Sequence, residues 1–128
     1  MLRLLRHSLL AAFCLALPAC RSSVEPAGAP LDFASDNAAI TLTNPNPWPV
    51  YYTTMDPEFL ALYDGIPCPD PTLNCQHVPA NGSLRIPFTD IMGFSASSTK
   101  VLLWEYRLVP KKSGYEQRDF FSRTFTVR

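Results

Sequence analysis

The side chains able to do chemistry are few. The chain contains two histidines, His7 and His77, and four cysteines, Cys14, Cys20, Cys68 and Cys75. His77 stands two residues beyond Cys75, which raises the question of zinc binding or thiol redox chemistry. Structural zinc sites bring cysteines at C-x2–4-C spacing and supply four ligands, and redox thiols favour C-x-x-C. Cys68 and Cys75 are separated by six residues, so neither pattern is met and no metal is assigned. Acid–base work would need paired carboxylates at a defined separation. Asp56, Glu58, Asp64 and Asp70 lie near one another in sequence and are the candidates for that role, or for an oxygen-ligand calcium site. The G-x-S-x-G, H-E-x-x-H, G-x-G-x-x-G and P-loop patterns are absent. The expectation is a non-enzymatic protein with no cofactor and no catalytic residue. A small carboxylate-dependent hydrolase is the alternative from the enzyme class.

Binding chemistry has three candidates. Trp48 sits between Pro47 and Pro49 in a turn, where burial of an indole is difficult, so it reads as a contact residue. Lys111 and Lys112 occupy an exposed hairpin loop, Pro110–Gly114, and read as a basic contact. Tyr51, Tyr52 and Trp104 lie within strand patterns, where aromatics belong to the core. The whole chain carries no net formal charge and 17% charged residues, which argues against a nucleic-acid partner.

The elements that must position these residues are β-strands. Thirteen prolines in 128 residues exclude a helical bundle. Ala39–Thr43 alternates, with Ile40 and Leu42 on one face. Asn44-Pro45-Asn46-Pro47 breaks the alternation as a turn, and Val50–Met55 is β-branched and aromatic. Asp56-Pro57-Glu58 reads as a helix start, with Asp as cap and Pro at the first position. The helix it begins is short, ends before Gly65 and Pro67, and is expected to cross between sheets. Val78–Ser83 reads as a turn and Leu84–Phe88 as the third strand. Lys100–Val109 is the strongest strand. Leu102, Trp104, Tyr106 and Leu108 form one face, and the other bears Val101, Leu103, Glu105 and Arg107. After the hairpin, Phe121, Phe125 and Val127 mark the last strand, interrupted by Arg123. Such a series predicts an all-β fold, an immunoglobulin-like β-sandwich of about five to seven short antiparallel strands with one short helix. The strand ending at Asn44 and the Pro79–Leu84 turn loosely resemble bacterial immunoglobulin-like modules.

The first twenty residues read as an address. Arg3 and Arg6 precede an apolar run from Leu9 to Ala19. The run falls short of the ~20 residues that span a bilayer and has the layout of a signal peptide. It ends Leu17-Pro18-Ala19-Cys20, which resembles the lipobox of bacterial lipoproteins. That resemblance implies cleavage after Ala19, diacylglycerol on the Cys20 sulfur and attachment to membrane lipid through the acylated residue. Arg21, rather than Asp, follows Cys20, which by the sorting rule of enteric lipoproteins favours the outer membrane. The domains that follow are a signal peptide at 1–19, a lipidated cysteine with a flexible tether at 20–36, and the β domain at 37–128.

With Cys14 removed and Cys20 acylated, Cys68 and Cys75 are left to pair, in an exported compartment that sustains disulfides. Processing also changes the charge. Residues 22–84 hold seven acids and no base, and residues 85–128 hold eight bases and four acids. With Arg21, the mature chain has a net charge of −2 and an acidic front half. The expected function is an envelope lipoprotein whose β domain binds or scaffolds an envelope protein or polymer that the sequence does not name. The second expectation is an inhibitor or ligand-binding module that inserts the disulfide-closed loop.

Overall fold

Each run of alternating or β-branched residues forms a strand. In the computed structural model, which describes residues 25–65 and 67–128, seven strands are present. They are β1 (Asp32–Ser35), β2 (Ala39–Thr43), β3 (Val50–Met55), β4 (His77–Val78), β5 (Ser83–Pro87), β6 (Lys100–Pro110) and β7 (Tyr115–Thr126). The signal peptide and Cys20 lie outside the described residues. The strands form two antiparallel sheets, ordered β1-β2-β5 and β4-β3-β6-β7. The constant-type immunoglobulin order is A-B-E-D over C-F-G, and here the fourth strand has moved across to lie beside the third. The fold is the expected β-sandwich. Ile40, Leu42 and Ile86 of the first sheet meet Val50, Tyr52, Val101 and Leu103 of the second in its core. Pro87 is tolerated because β5 is an edge strand and Pro87 is its last residue.

The β6 faces are used differently from the simplest reading of their composition. The face that turns inward is Val101, Leu103, Glu105 and Arg107, all of them buried, with the two charged residues inside the sandwich. The more apolar face, with Leu102, Trp104 and Tyr106, turns away from the other sheet. It is covered by the long connection from β3 to β4. Pro57–Leu62 of that connection is a 3-10 turn, started as expected by the Asp56 carboxylate, which accepts from Glu58 N at 2.8 Å. It does not cross between sheets, because β3 and β4 pair with each other. Val78 is likewise in a strand and fully buried, and Phe88, expected to end the third strand, is the buried first residue of the 3-10 turn Phe88–Asp90 that follows β5.

The flexible tether expected at 20–36 is not what residues 25–36 form. Asp32–Ser35 is a strand in register with β2, from Asp32 opposite Thr43 to Ser35 opposite Ile40. Leu31 is buried in the core, and the Phe33 ring stacks on Phe125 with centroids 3.8 Å apart. Burying a leucine stabilises by about 1.5–3 kcal/mol, which adds to the β1–β2 ladder and the Phe33 stack in holding the segment to the sheet edge. Prolines and glycine around a four-residue strand hide it from any periodicity. The β domain therefore begins by Glu25.

A polar spine joins this segment to the rest. Asn44, buried at the end of β2, donates through Nδ2 to the carbonyls of Trp48 (2.8 Å), Pro79 (3.1 Å) and Val78 (3.2 Å). Its Oδ1 accepts from Asn46 N at 2.9 Å. Asn46 in turn pairs with the backbone of Ala29 on both sides, each bond 2.8 Å.

Candidate binding surface

The outer face of the second sheet is aromatic. Cross-strand pairing places Tyr51 opposite Tyr106 and Thr53 opposite Trp104. Tyr106 stacks against Tyr51 (6.1 Å) and Phe120 (6.3 Å), and Tyr63 meets Trp104 edge-on at 5.9 Å. Trp104 Nε1 donates to Ser122 Oγ across the β6–β7 ladder at 3.1 Å, so its indole is satisfied without solvent. Over this face lies the expected disulfide, Cys68–Cys75, with Cα atoms 6.1 Å apart. Two prolines and the Asp70 carboxylate, which accepts from Thr72 N at 2.8 Å, bend the loop into a 3-10 turn at Pro71–Leu73. Tyr106 Oη donates to the Cys68 carbonyl at 3.4 Å and ties the loop to the sheet. His77 completes the rim, its Nδ1 3.0 Å from the Cys75 carbonyl.

A groove of about 420 Å³ runs between the loop and the sheet, lined by Tyr63, Cys68, Leu73, Gln76 and Tyr106 among others. Beside it, apolar side chains stand in solvent: Leu73 is 61% exposed and Phe120, stacked on Tyr106, 50%. Leu62, 77% exposed, lies at the neighbouring cleft. Burial raises the Tyr51 and Tyr106 hydroxyls above the usual phenol range, so both are neutral near pH 7. The surface thus presents rings, a leucine and neutral hydroxyls.

A second cleft, of about 640 Å³, opens at the start of β6 between Pro57–Leu62 and the serine loop 95–98. Asp56 and Glu58 line it with Ser95, Ser97 and Lys100. The Asp56 carboxylate is already engaged, through the Glu58 cap and a short bond accepted from Ser98 Oγ. Gly93 beneath it has φ +70°, and a Cβ there would lie 2.7 Å from Phe59, so only glycine closes this turn. Asp70 is not here but in the disulfide loop, and Asp64 is exposed on the connection between them. The four carboxylates are therefore not brought to one site, and among the described residues no three His, Cys, Asp or Glu side chains converge on a metal position.

The sequence candidates for binding fare differently. Trp48 is half-buried and packs on the core, with the Arg107 guanidinium 4.0 Å above its ring. The prolines that made burial look difficult instead lay the indole down against β6, and its face is taken. Lys111 and Lys112 are exposed at the hairpin tip with no ion pair among the described residues. The arginines near them do not extend that basic patch. Arg107 is buried, 3.1 Å from Glu25, and its Nε lies 2.8 Å from Asp119 Oδ2, off the axis of a hydrogen bond. Arg118 pairs with Glu116 at 3.2 Å and with Glu25 at 3.5 Å. Arg85 pairs with Asp36 at 2.5 Å. Two of the seven front-half acids, Glu25 and Asp36, thus meet bases of the back half.

The residue that sequence reasoning missed is Glu105. It is 1% exposed, and its Oε1 accepts from Arg123 at 2.8 Å and from Leu31 N at 3.1 Å. Burial pushes its carboxyl above the usual range against the pull of Arg123 and Leu31 N. The available signal was the pairing of a charged inner half of β6 with the Arg123 break in β7. No family model matches this chain, and neither the curated proteins nor the solved structures gave a match.

Proposed function

We propose that the protein is a lipid-anchored, non-enzymatic binding module of the bacterial cell envelope. Acyl chains on Cys20 hold it to a membrane, with the outer membrane favoured, and the cover of the outer sheet face meets an envelope protein or polymer. The observation that carries the binding half is the pair of exposed apolar side chains beside a groove floored by tyrosine, Leu73 in its wall and Phe120 stacked on its Tyr106. Apolar groups left in water forgo about 25 cal/mol per Å² of possible burial, and a cluster of them beside a groove marks an interaction site. Anchoring is supported by the basic and apolar run that ends Leu17-Pro18-Ala19-Cys20. Two acyl chains suffice for stable attachment without a spanning helix.

One feature favours the narrower reading in which the Cys68–Cys75 loop inserts into its partner. Leu73 stands in solvent on a turn already fixed by the disulfide and the Asp70 cap, so little ordering entropy is lost on binding.

The test combines alkyne-palmitate labelling and membrane fractionation with a photo-crosslinking residue placed at position 73, 120 or 89. Wild type is expected in the membrane fraction with label, and Cys20→Ala in the soluble fraction without it. Crosslinks are expected at 73 and 120 but not at Thr89, which is exposed on a separate 3-10 turn. A membrane-bound, labelled Cys20→Ala variant overturns the anchor. Equal crosslinking at all three positions overturns the surface.

A further inference from the structure

The strands give the domain two distinct ends. The β6–β7 ladder runs from Lys100 opposite Thr126 to Pro110 opposite Tyr115, a span of roughly 35 Å at ~3.3 Å per residue. At the first end lie the serine loop and its cleft. At the second lies the hairpin, closed by Lys111 N donating to the Gly114 carbonyl at 3.0 Å. The chain enters the body at this second end. Glu25 is held by Arg107 and Arg118, which face each other in the ladder three rungs from Pro110 and Tyr115. Ala29 is bound to Asn46, and Asp32 begins β1 there opposite Thr43.

We propose that the hairpin tip is the membrane-facing end of the domain, with Lys111 and Lys112 in contact with anionic phospholipid headgroups. This rests on the reading of Cys20 as the acylated anchor. Five peptide steps separate Cys20 from Glu25, so the chain between them reaches at most about 18 Å. The start of β6 lies seven residues beyond Arg107, roughly 24 Å along the strand. A tether this short lets the hairpin end reach the surface and forbids the domain from inverting to stand on its serine loop.

Charge selects the hairpin from what remains. The tip carries two lysines, exposed and without ion pairs among the described residues. Three acids of that end, Glu25, Glu116 and Asp119, share Arg107 and Arg118, and Asp32 is exposed, so the attraction is local to the tip, where residues 110–114 carry two lysines and no acid. Each lysine brought to such a surface strengthens the contact roughly five-fold, about 25-fold for the pair. The outer aromatic face and the distal cleft are then both left open to the envelope side.

The experiment uses the acylated full-length protein in vesicles of phosphatidylcholine, with or without phosphatidylglycerol, carrying a headgroup-linked fluorescence quencher. A fluorophore is placed on Ser113→Cys or Ser97→Cys, which are free to react because Cys68 and Cys75 are bonded and the Cys20 sulfur is alkylated. Ser113 is expected to be quenched several-fold more than Ser97, with the difference enlarged by phosphatidylglycerol. Lys111→Gln with Lys112→Gln is expected to remove that enlargement, with circular dichroism unchanged. Equal quenching at both positions in protein whose mass shows the acyl group overturns the orientation and leaves the anchor standing. Quenching indifferent to phosphatidylglycerol overturns the headgroup contact. A mass without acyl chains overturns both this inference and the anchor.

Discussion

Removing Arg123 is expected to destabilise the domain far more than neutralising the carboxylate it serves. Glu105 is enclosed by the sandwich, and its partners are the Arg123 guanidinium at 2.8 Å and Leu31 N at 3.1 and 3.2 Å. Taking one member from a buried ion pair costs about 3–5 kcal/mol, because the remaining charge stays desolvated. Arg123 is 31% exposed and Leu31 N persists in Arg123→Gln, so the lower limit applies, about 3 kcal/mol. In a domain of this size, that lowers Tm by roughly 15 °C. Glu105→Gln still accepts from Leu31 N and sheds the desolvated charge, and Arg123 keeps the Leu31 carbonyl at 2.7 Å. Its effect at pH 7 stays within about 1 kcal/mol. The pH dependence separates charge from packing. Burial raises the folded-state pKa of Glu105 above its ordinary 4.5, so the folded protein takes up this proton first as pH falls. The stability handicap of ionised Glu105 is full above the folded value and fades as pH drops towards 4.5. The Arg123→Gln deficit, read by urea unfolding with Trp48 and Trp104 fluorescence, should therefore shrink to a minor fraction near pH 4.5. An equal deficit at pH 7 and pH 4.5, or a Glu105→Gln deficit as large as that of Arg123→Gln, would refute the buried-charge argument.

Three further perturbations test other parts of the fold. Asp36 titrates in the opposite sense to Glu105: Arg85 and the amides of Ala38 and Ala39 hold its carboxyl at about 2, below the ordinary 3.8. Its stabilising share is complete above pH 4 and disappears as pH falls through 2, so carboxyl NMR should show the late titration and Asp36→Asn should flatten acid unfolding in that range. Asn44→Ala strips three carbonyls and the Asn46 amide of their buried partner and should cost about 3 kcal/mol in chemical unfolding. Asn44→Asp should not rescue it, because an acceptor would then face those carbonyls. Cys68→Ala opens an eight-residue loop worth about 2.5 kcal/mol and should lower Tm while β-sheet circular dichroism persists, because the loop packs on the outer face rather than in the core. Loss of the sheet signal in that variant would contradict the separation of the loop from the core.

What was legible in the sequence was whatever depends on local chemistry. The Asp56-Pro57 cap, the turn prolines, the alternation of Ala39–Thr43 and the Cys68–Cys75 pair all act over a few residues, and each is found in the structure. What was hidden depends on partners far along the chain. The inward face of β6 could not be chosen by counting apolar residues, because the more apolar face finds its cover in the β3–β4 connection. The more charged face finds Leu31 N, 74 residues away, and Glu25, 82 residues away. β1 was missed for the same reason, since its four residues gain their stability from β2 and Phe125 rather than from any pattern of their own. The cover of Trp48 likewise comes from afar, from Arg107 in β6. The groove under the disulfide loop had no sequence signature, as its walls come from β3, residues 63–76 of the connection, Met92 and Tyr106 of β6 together.

The inward face of β6 changes character along its length, and that change explains how the N-terminal segment is held. Val101 and Leu103 meet the apolar core, whereas Glu105 and Arg107 meet the backbone of Leu31 and the carboxylate of Glu25. An apolar closure would hold residues 25–35 against the sheets without fixing their register, because hydrophobic contact has no direction. Hydrogen bonds and ion pairs do have direction. Leu31 N on Glu105, Ala29 on Asn46 and Glu25 on Arg107 pin three points spaced along the segment. Gly28 lies between them where a Cβ would come 2.7 Å from Asp119 Oδ2, the carboxylate that also serves Arg107. Asp119 reaches Arg107 from a left-handed residue, φ 54°, at the bulge opposite Tyr106. A side chain at position 28 would push that carboxylate aside and weaken its hold on Arg107. Folding of the body thereby sets where the chain leaves it, at the hairpin end, five residues from Cys20. The buried charges offer little gain in stability over an apolar core, and their contribution is to make the exit point of the chain a fixed feature of the fold.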